Sequence, residues 1–519
     1  MLNAVGRDIP DEVLVDGREV YQGKHHMDGK YVKKDSPTTR RFVTPVDGKL
    51  CDTIREACEK CGAHDGMTIS FHSEFRTGDY VAAMVAKVLI EDMGLTDITV
   101  AATSLGTAQS VIAEYIEQAK VIGIQTSGVR GPIGEVISAG RLASPAVIRS
   151  HGGRPRAIEG GEVHIDIAFL AAASSDVYGN ARGVGGKSNC GSVGFAMVDA
   201  RYADHTVIVT DTLVEHPNLP ASIKGMDVDC VVVVDEIGDP SRIQTAEARL
   251  TENPRELAMA ENVARVIAAT PYFKNGFTFQ TGVGGPSLAV NRFLEEYMVA
   301  RRITMRFALG GISGAICQLQ DKGLVERLLD TQDFDSSAID HIASHPDHHE
   351  IDQSEYANPA NKGAYVNQLD FAVLSALEVD VNFNVNVITG SDGILRGAPG
   401  GHPDSAAGSK CCIVVTPLTR GRMPTVCDEV VTVATPGDCV DVVVTEFGIA
   451  VNPRRQDLLE CLDQARIPHV SIESLRDKAY SLVGTPDRLV WEDKVVAVVE
   501  ARDGTILDVV RKVRPFVFD

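Results

Sequence analysis

The chain has 519 residues, too many for a single hydrophobic core, so about two to four domains are expected. Hydrophobic residues make up 44% and charged residues 23%, the balance of a globular protein, and 50 Lys+Arg against 71 Asp+Glu leave a formal net charge of −21. Such a surface repels nucleic acid and anionic membrane, which excludes both as expected partners, and any anionic substrate then needs a local basic site.

In chain order, MLNAVGRDIPDEV has no basic segment followed by an apolar one, so no signal peptide is expected. Apolar runs such as CVVVV at 230–234 fall far below the ~20 residues of a spanning helix. Eleven cysteines, an odd number scattered through a large chain, fit reduced thiols in the cytosol. VLVDGREV reads as a small hairpin with Asp16-Gly17 at its turn. CDTIREACEKCG reads as a helix, and GMTISFHSEFRTGDYVAAMVAKVLIEDMG as a strand, a turn and an amphipathic helix. ITVAATSLG is the next strand, and this alternation implies a parallel sheet covered by helices.

The chain then repeats itself. GMTISF at Gly66 returns as GFTFQT at Gly276, ITVAATSLG at Ile98 as ITMRFALGG at Ile303, and DIAFLAAASSDVYGN at Asp166 as DFAVLSALEVDVNFN at Asp370. HTVIVTDTLVEHPNLP parallels CCIVVTPLTRGRMP, and VDCVVVVDEIGDP at Val228 parallels VDVVVTEFGIAVNP at Val440. Five pairs in one order, separated by 204 to 212 residues, indicate two copies of one α/β domain. The expected organisation is an N-terminal arm (1–44), a first domain (45–245), a helical linker (246–270), a second domain (271–465) and a C-terminal extension (466–519). The extension carries a helix, SIESLRDKAYSLV, and a hairpin, KVVAVVEARDGTILDVVRKV, turning at Asp503-Gly504.

Open α/β sheets bind ligands outside the carboxyl ends of their strands, where the glycine-rich turns fall. In TFQTGVGGPSLAV, Gly282, Gly284 and Gly285 stand between a strand and a helix, where backbone N–H groups can hold an anion. The spacing is not GxGxxG and no acidic residue closes a following strand, so a dinucleotide site is disfavoured, and a tight packing turn stands as the alternative. GSDGILRGAPGGHPDSAAGSKC, 390–411, places Gly400 and Gly401 where two side-chain-free amides can converge on one oxygen as an oxyanion hole, with Asp404 bracing the loop. A long turn is the plainer reading of the same glycines. The first-copy counterpart, RGVGGKSNCGSVG, carries Lys187 and Asn189, and SGVRGPIGEVISAGRL carries Arg130 and Arg141; these suit a carboxylate substrate or surface ion pairs. HPDHHE, with His345, Asp347, His348, His349 and Glu350, reads as a solvated loop, and the lone CxxC of Cys58 and Cys61 as neither zinc nor redox site, so no metal is expected.

Together, the paired halves and the motifs QTGVGGPSLAV, GAPGGHPD and VVVTEFGIAVNP resemble the CoA-transferase superfamily. The fold class expected is therefore α/β, with two homologous CoA-transferase-like domains built on mostly parallel sheets. GVGGKSNCGSVGFAMVDARYAD and FALGGISGAICQL are more closely similar to the alpha subunits of citrate lyase, nearly end to end. That resemblance implies exchange of citrate for acetate on an acetyl-thioester carrier protein, giving citryl-carrier and acetate. It implies a beta subunit that cleaves citryl-carrier, a gamma acyl-carrier subunit bearing a CoA-derived (phosphoribosyl-dephospho-CoA) prosthetic group, no covalent cofactor on this chain, and an oligomeric cytoplasmic complex. The thioester arm is then expected at Gly282, Gly284, Gly285 and Ala398, and citrate at Arg130, Arg141, Lys187, Arg396 and His402.

Many CoA-transferases carry a covalent thioester on a glutamate after the second strand of the second half. Here Ile303 to Gln320 holds neither Glu nor Asp, and Ser313 and Gly314 stand at about that point, which favours direct transfer in a ternary complex. Glu446, matched by Glu236 in the first copy, is read as a structural carboxylate at a strand end. The competing readings are a CoA-dependent carboxylate CoA-transferase or acyl-CoA hydrolase, and, in another class, a non-catalytic assembly module.

Overall fold

The computed structural model describes residues 1–30, 34, 48–243, 251–282 and 285–514. The first sheet is assembled from β1 (Leu50–Cys51), β2 (Thr68–Phe71), β3 (Ile98–Ala102), β4 (Val121–Thr126), β5 (Ala146–Ile148), β6 (Ile167–Ala172), β7 (His205–Thr210) and β8 (Cys230–Val233). The second contains β9 (Phe277–Thr281), β10 (Met305–Ile312), β11 (Leu328–Asp333), β12 (His348–Glu350), β13 (Phe371–Ser375), β14 (Cys411–Val415), β15 (Val442–Thr445) and β16 (Gly448–Val451). β17 (Trp491–Glu500) and β18 (Ile506–Val513) close the chain.

The spatial orders are β1-β8-β7-β6-β2-β3-β4-β5-β17-β18 and β12-β11-β10-β9-β13-β14-β15-β16. Every repeated pair therefore occupies the same slot: β2 matches β9, β3 matches β10, β6 matches β13, β7 matches β14 and β8 matches β15. The shared strands pair in parallel, as in β6–β7 and β13–β14. Both faces of such a sheet are covered by helices, so its strands read as unbroken apolar runs, and all six residues of β6 are buried. The antiparallel additions are β16, folded back on β15, and the β17–β18 hairpin.

The hairpin joins the first sheet through β17 beside β5 (Ala497↔Ala146 to Val499↔Ile148), covering an edge strand only three residues long. A bidentate pair fixes it, with Arg149 Nε 2.6 Å from Glu500 Oε2 and its Nη2 2.9 Å from Oε1, both side chains almost fully buried. Gly504, at φ +92°, makes the expected turn. The N-terminal hairpin does not form. Asp16 (φ 55°) and Gly17 (φ 78°) make the turn, but Glu19 and Tyr21 bond to Ile506 instead of closing on Val13–Val15, because β18 offers a free edge. The linker helix, Pro254–Ala269, starts under an Asn253 cap and buries Met259, Val263, Val266 and Ile267 in the second core; residues 244–250 lie outside the described residues. All eleven cysteines are free thiols, with Cys58 and Cys61 buried. Among the described residues no helix is long and apolar enough to cross a membrane.

Candidate functional site

A cavity of about 730 Å³ opens at the carboxyl ends of the second sheet's strands. Gln280 and Thr281 end β9, Gly311 lies near the end of β10, Thr331 and Gln332 lie near the end of β11, and Leu374 and Ser375 end β13. The 390–411 segment forms the opposite wall through Ala398, Pro399, Gly401 and His402, and the first domain adds His151 and Phe195. Gly282 and Gly285 line the same space, so both glycine-rich turns of the second copy meet there; Gly284 lies outside the described residues.

The 390–411 loop is held by the first domain. Val129 N–H donates to the Gly397 carbonyl (3.2 Å), His151 N–H to the Gly400 carbonyl (2.8 Å), and Leu395 N–H to Ser138 Oγ (3.0 Å). Asp404 braces it from below, accepting from Gly152 N–H (2.9 Å) and Ser150 Oγ (2.9 Å), with Arg502 Nε 3.6 Å away. Burial pushes the Asp404 carboxyl up to about 6, against the pull of Arg502 and its donors.

The glycines serve packing as well as any ligand. A Cβ on Gly401 would lie 2.2 Å from Tyr356 Oη, and one on Gly397 2.1 Å from the Val387 carbonyl. Gly400 needs its φ of +53°, a left-handed backbone in which other residues are strained. Among the described residues, neither the Gly400 nor the Gly401 amide donates to a protein acceptor. Tyr356 Oη is fixed by Gln280 Nε2 (2.8 Å) and Ser405 Oγ (3.1 Å), while buried Gln280 Oε1 has no partner.

The expected cations are mostly elsewhere. Arg141 faces Glu117 (3.6 Å) with its side chain 62% exposed, Arg396 pairs with Asp392 (2.7 Å), and exposed Lys187 does not line the cavity. Arg130 is exposed, 3.3 Å from Ser104 Oγ, and its charge helps lower His151. Among the described residues, the arginine that does line the cavity is Arg420, anchored to the Ala376 carbonyl (2.7 Å). His402 faces the cavity as a neutral ring: burial lowers it to about 4, Nε2 lies 3.1 Å from the Ser375 carbonyl and Nδ1 2.7 Å from Thr435 Oγ1. Burial, with Arg154 and Arg130 nearby, lowers His151 to about 3.

Ser313 and Gly314 do not reach the cavity; Gly314 N–H is spent on Asp335 (2.9 Å). The wall position on that strand is Gly311, where a Cβ would sit 2.0 Å from the Phe334 ring, so no carboxylate fits there. Glu446 is fully occupied, accepting from Leu418 N–H (2.8 Å) and Arg255 (2.7 Å). Among the described residues, Glu256 is the one carboxylate that lines the cavity. Gln280 opens the quoted motif QTGVGGPSLAV but was not singled out there, whereas Glu256, Tyr356 and Arg420 converge from distant segments and carried no local signal. The solvated-loop reading of HPDHHE does not hold: His348–Glu350 is an edge strand, and His348 is 5% exposed.

The chain is similar to known proteins over nearly its whole length. Residues 47–513 match the family described as citrate lyase, alpha subunit (CitF). The chain is 47% identical over 497 residues to the citrate lyase alpha chain of Haemophilus influenzae, covering 96% of this chain and 99% of that one. It is 50% identical over 466 residues to that of Klebsiella pneumoniae, covering 90% and 92%. A crystal structure of a citrate lyase alpha subunit from Streptococcus mutans, in complex with citrate, superposes with a TM-score of 0.96 at 51% identity, covering 99% of this chain and 100% of that one. A malonate decarboxylase alpha subunit from Acinetobacter baumannii shares the fold alone, with a TM-score of 0.63 at 16% identity over 84% of this chain and 87% of that one. With motif, sequence and fold in agreement, the chain belongs to the citrate lyase alpha-subunit family.

Proposed function

We propose that this chain is the transferase subunit of a citrate lyase, exchanging citrate for the acetyl group of an acetyl-thioester carrier without a covalent enzyme intermediate. A citrate carboxylate oxygen attacks the acetyl carbonyl, the thiolate of the carrier arm leaves, and a mixed citryl-acetyl anhydride results. The thiolate then attacks the citryl carbonyl, and acetate departs with the citrate oxygen. No general base is needed, because the nucleophile is already ionised. The chain's tasks are to hold two acyl groups in attack geometry and to steady each tetrahedral oxyanion.

The observation that carries this reading is the unpaired amide of Gly401, on the wall of a cavity whose one carboxylate among the described residues, Glu256, comes from a distant helix; the equally unpaired Gly400 amide precedes it in the loop. Arg420 supplies positive charge for citrate, and the neutral histidines His151 and His402 keep the wall polar without adding charge. The CoA-derived arm belongs to the carrier subunit and enters as substrate, past Gly282, Gly285 and Ala398; citrate cleavage belongs to a beta subunit of the complex. The relative crystallised with citrate supports the choice of acid. Mixing the chain with acetyl-carrier tests it: acetate release that depends on citrate is expected, whereas steady release without citrate would mark a hydrolase.

A further inference from the structure

Behind the cavity wall, three buried donor atoms converge. Asp330 and Asp333 flank Thr331 and Gln332 on β11, and His348 opens the neighbouring strand β12; the three are 0%, 1% and 5% exposed. One carboxylate oxygen of each aspartate is used, Asp330 Oδ1 by Gln332 N–H (2.8 Å) and Asp333 Oδ2 by Ser192 N–H of the first domain (2.8 Å). The remaining atoms, Asp330 Oδ2, Asp333 Oδ1 and His348 Nε2, have no hydrogen-bond partner. One donor atom from each residue lies within 4.8 Å of the other two.

His341 Nδ1 sits 3.0 Å from His348 Nδ1, so one proton is shared between these two nitrogens. With that proton on His348 Nδ1, Nε2 presents a lone pair to Asp330 Oδ2 at 3.4 Å. A lone pair and two carboxylate oxygens meeting in a dry site require a cation or a proton among them. Donors about 2.1 Å from a tetrahedral ion stand roughly 3.4 Å apart, which the His348–Asp330 separation matches. An imidazole backed by a second group on its other nitrogen is the usual arrangement for a metal ligand. His348 also lines a second cavity of about 560 Å³ with Arg182, His345, His349 and Glu350.

We propose that Asp330, Asp333 and His348 bind a divalent cation of the Zn²⁺ or Mn²⁺ class, which clamps the end of β11 to the first domain through Asp333 and Ser192. Because Thr331 and Gln332 face the main cavity from between the two aspartates, the clamp also sets that wall.

The test is calorimetric titration of chelator-treated full-length chain with Zn²⁺ and with Mn²⁺, alongside thermal melts. One-to-one binding with a raised Tm is expected, abolished in Asp330→Asn, weakened about 10- to 100-fold in His341→Ala, and unchanged in Cys317→Ser, whose Sγ lies within 4.8 Å of a ring nitrogen of His341 and of His348 but outside the proposed ligand set. If Asp330→Asn does not fold, His348→Gln is read by the same titration. Absence of binding by both ions, with Asp330→Asn as stable as wild type, would mean that the two carboxyls share a proton, and would overturn the proposal. Loss of binding in Cys317→Ser would equally overturn this ligand set.

Discussion

Replacing Gly401 by valine separates the loop's role in transfer from its role in folding. The backbone itself tolerates the change, since Gly401 sits at φ −87°. The new Cβ, however, would lie 2.2 Å from Tyr356 Oη and 3.0 and 3.1 Å from Cζ and Cε1 of that ring. Tyr356 is 2% exposed and bonded to Gln280 and Ser405, so it has little room to retreat, and the loop and its amides must move instead. Overpacking of this kind costs about 1–3 kcal/mol, and a hydrogen bond lost at Tyr356 adds about 1 kcal/mol. At about 2–4 °C per kcal/mol the melting temperature falls by several degrees while the fold survives. Transfer suffers more, because loss of one oxyanion donor costs about 10²–10³ in kcat. Steady-state release of acetate from acetyl-carrier, with thermal melts in parallel, measures both. Tyr356→Phe alone, which leaves the amides in place, should have little effect on kcat. A folded Gly401→Val with near wild-type kcat would refute the oxyanion assignment.

Other outcomes follow from the same geometry. Arg420→Met should raise the KM for citrate about 10- to 150-fold, the worth of a charge-assisted hydrogen bond of about 1.5–3 kcal/mol, with little change for the acetyl donor. Glu256→Gln should retain transfer, and its complete loss would implicate a glutamyl intermediate. Asp404 is raised in the folded state to about 6 from an ordinary 3.8, so the folded chain binds the proton more tightly. Its contribution to stability is therefore greatest below pH 4 and is lost as pH rises to 6, about 3 kcal/mol in all. Denaturant melts of wild type and Asp404→Asn should differ by that slope across pH 4–6. Glu500→Ala leaves Arg149 buried without its partner and should cost about 3–5 kcal/mol, seen as a lower denaturation midpoint.

The repeat was legible because a buried parallel strand needs a continuous apolar run, and five such runs recur in order; the sheet orders match slot for slot. The joining of β17–β18 to the first sheet was not legible, since its partner β5 lies some 350 residues away and three residues carry no register signal. The loop of Gly400, Gly401 and Asp404 could be read from its glycines, although Tyr356 and the first-domain backbone account for much of their need. The cations could not: Arg141, Lys187 and Arg396 stand beside glycines in sequence, but strand order carries them away from the cavity, while Arg420 arrives from beyond β14 without any motif. The reading of HPDHHE failed because burial of His348 depends on β11, which local composition does not show.

Single-turnover transfer with citrate labelled by ¹⁸O in its carboxylates tests the direct route most sharply. Direct attack carries a citrate oxygen into the acetate released in the very first turnover. If an enzyme carboxylate intervenes, that first acetate takes its oxygen from the protein, remaining unlabelled while a glutamate gains the isotope. Labelled first-turnover acetate is the predicted result; unlabelled acetate with labelled protein would contradict it.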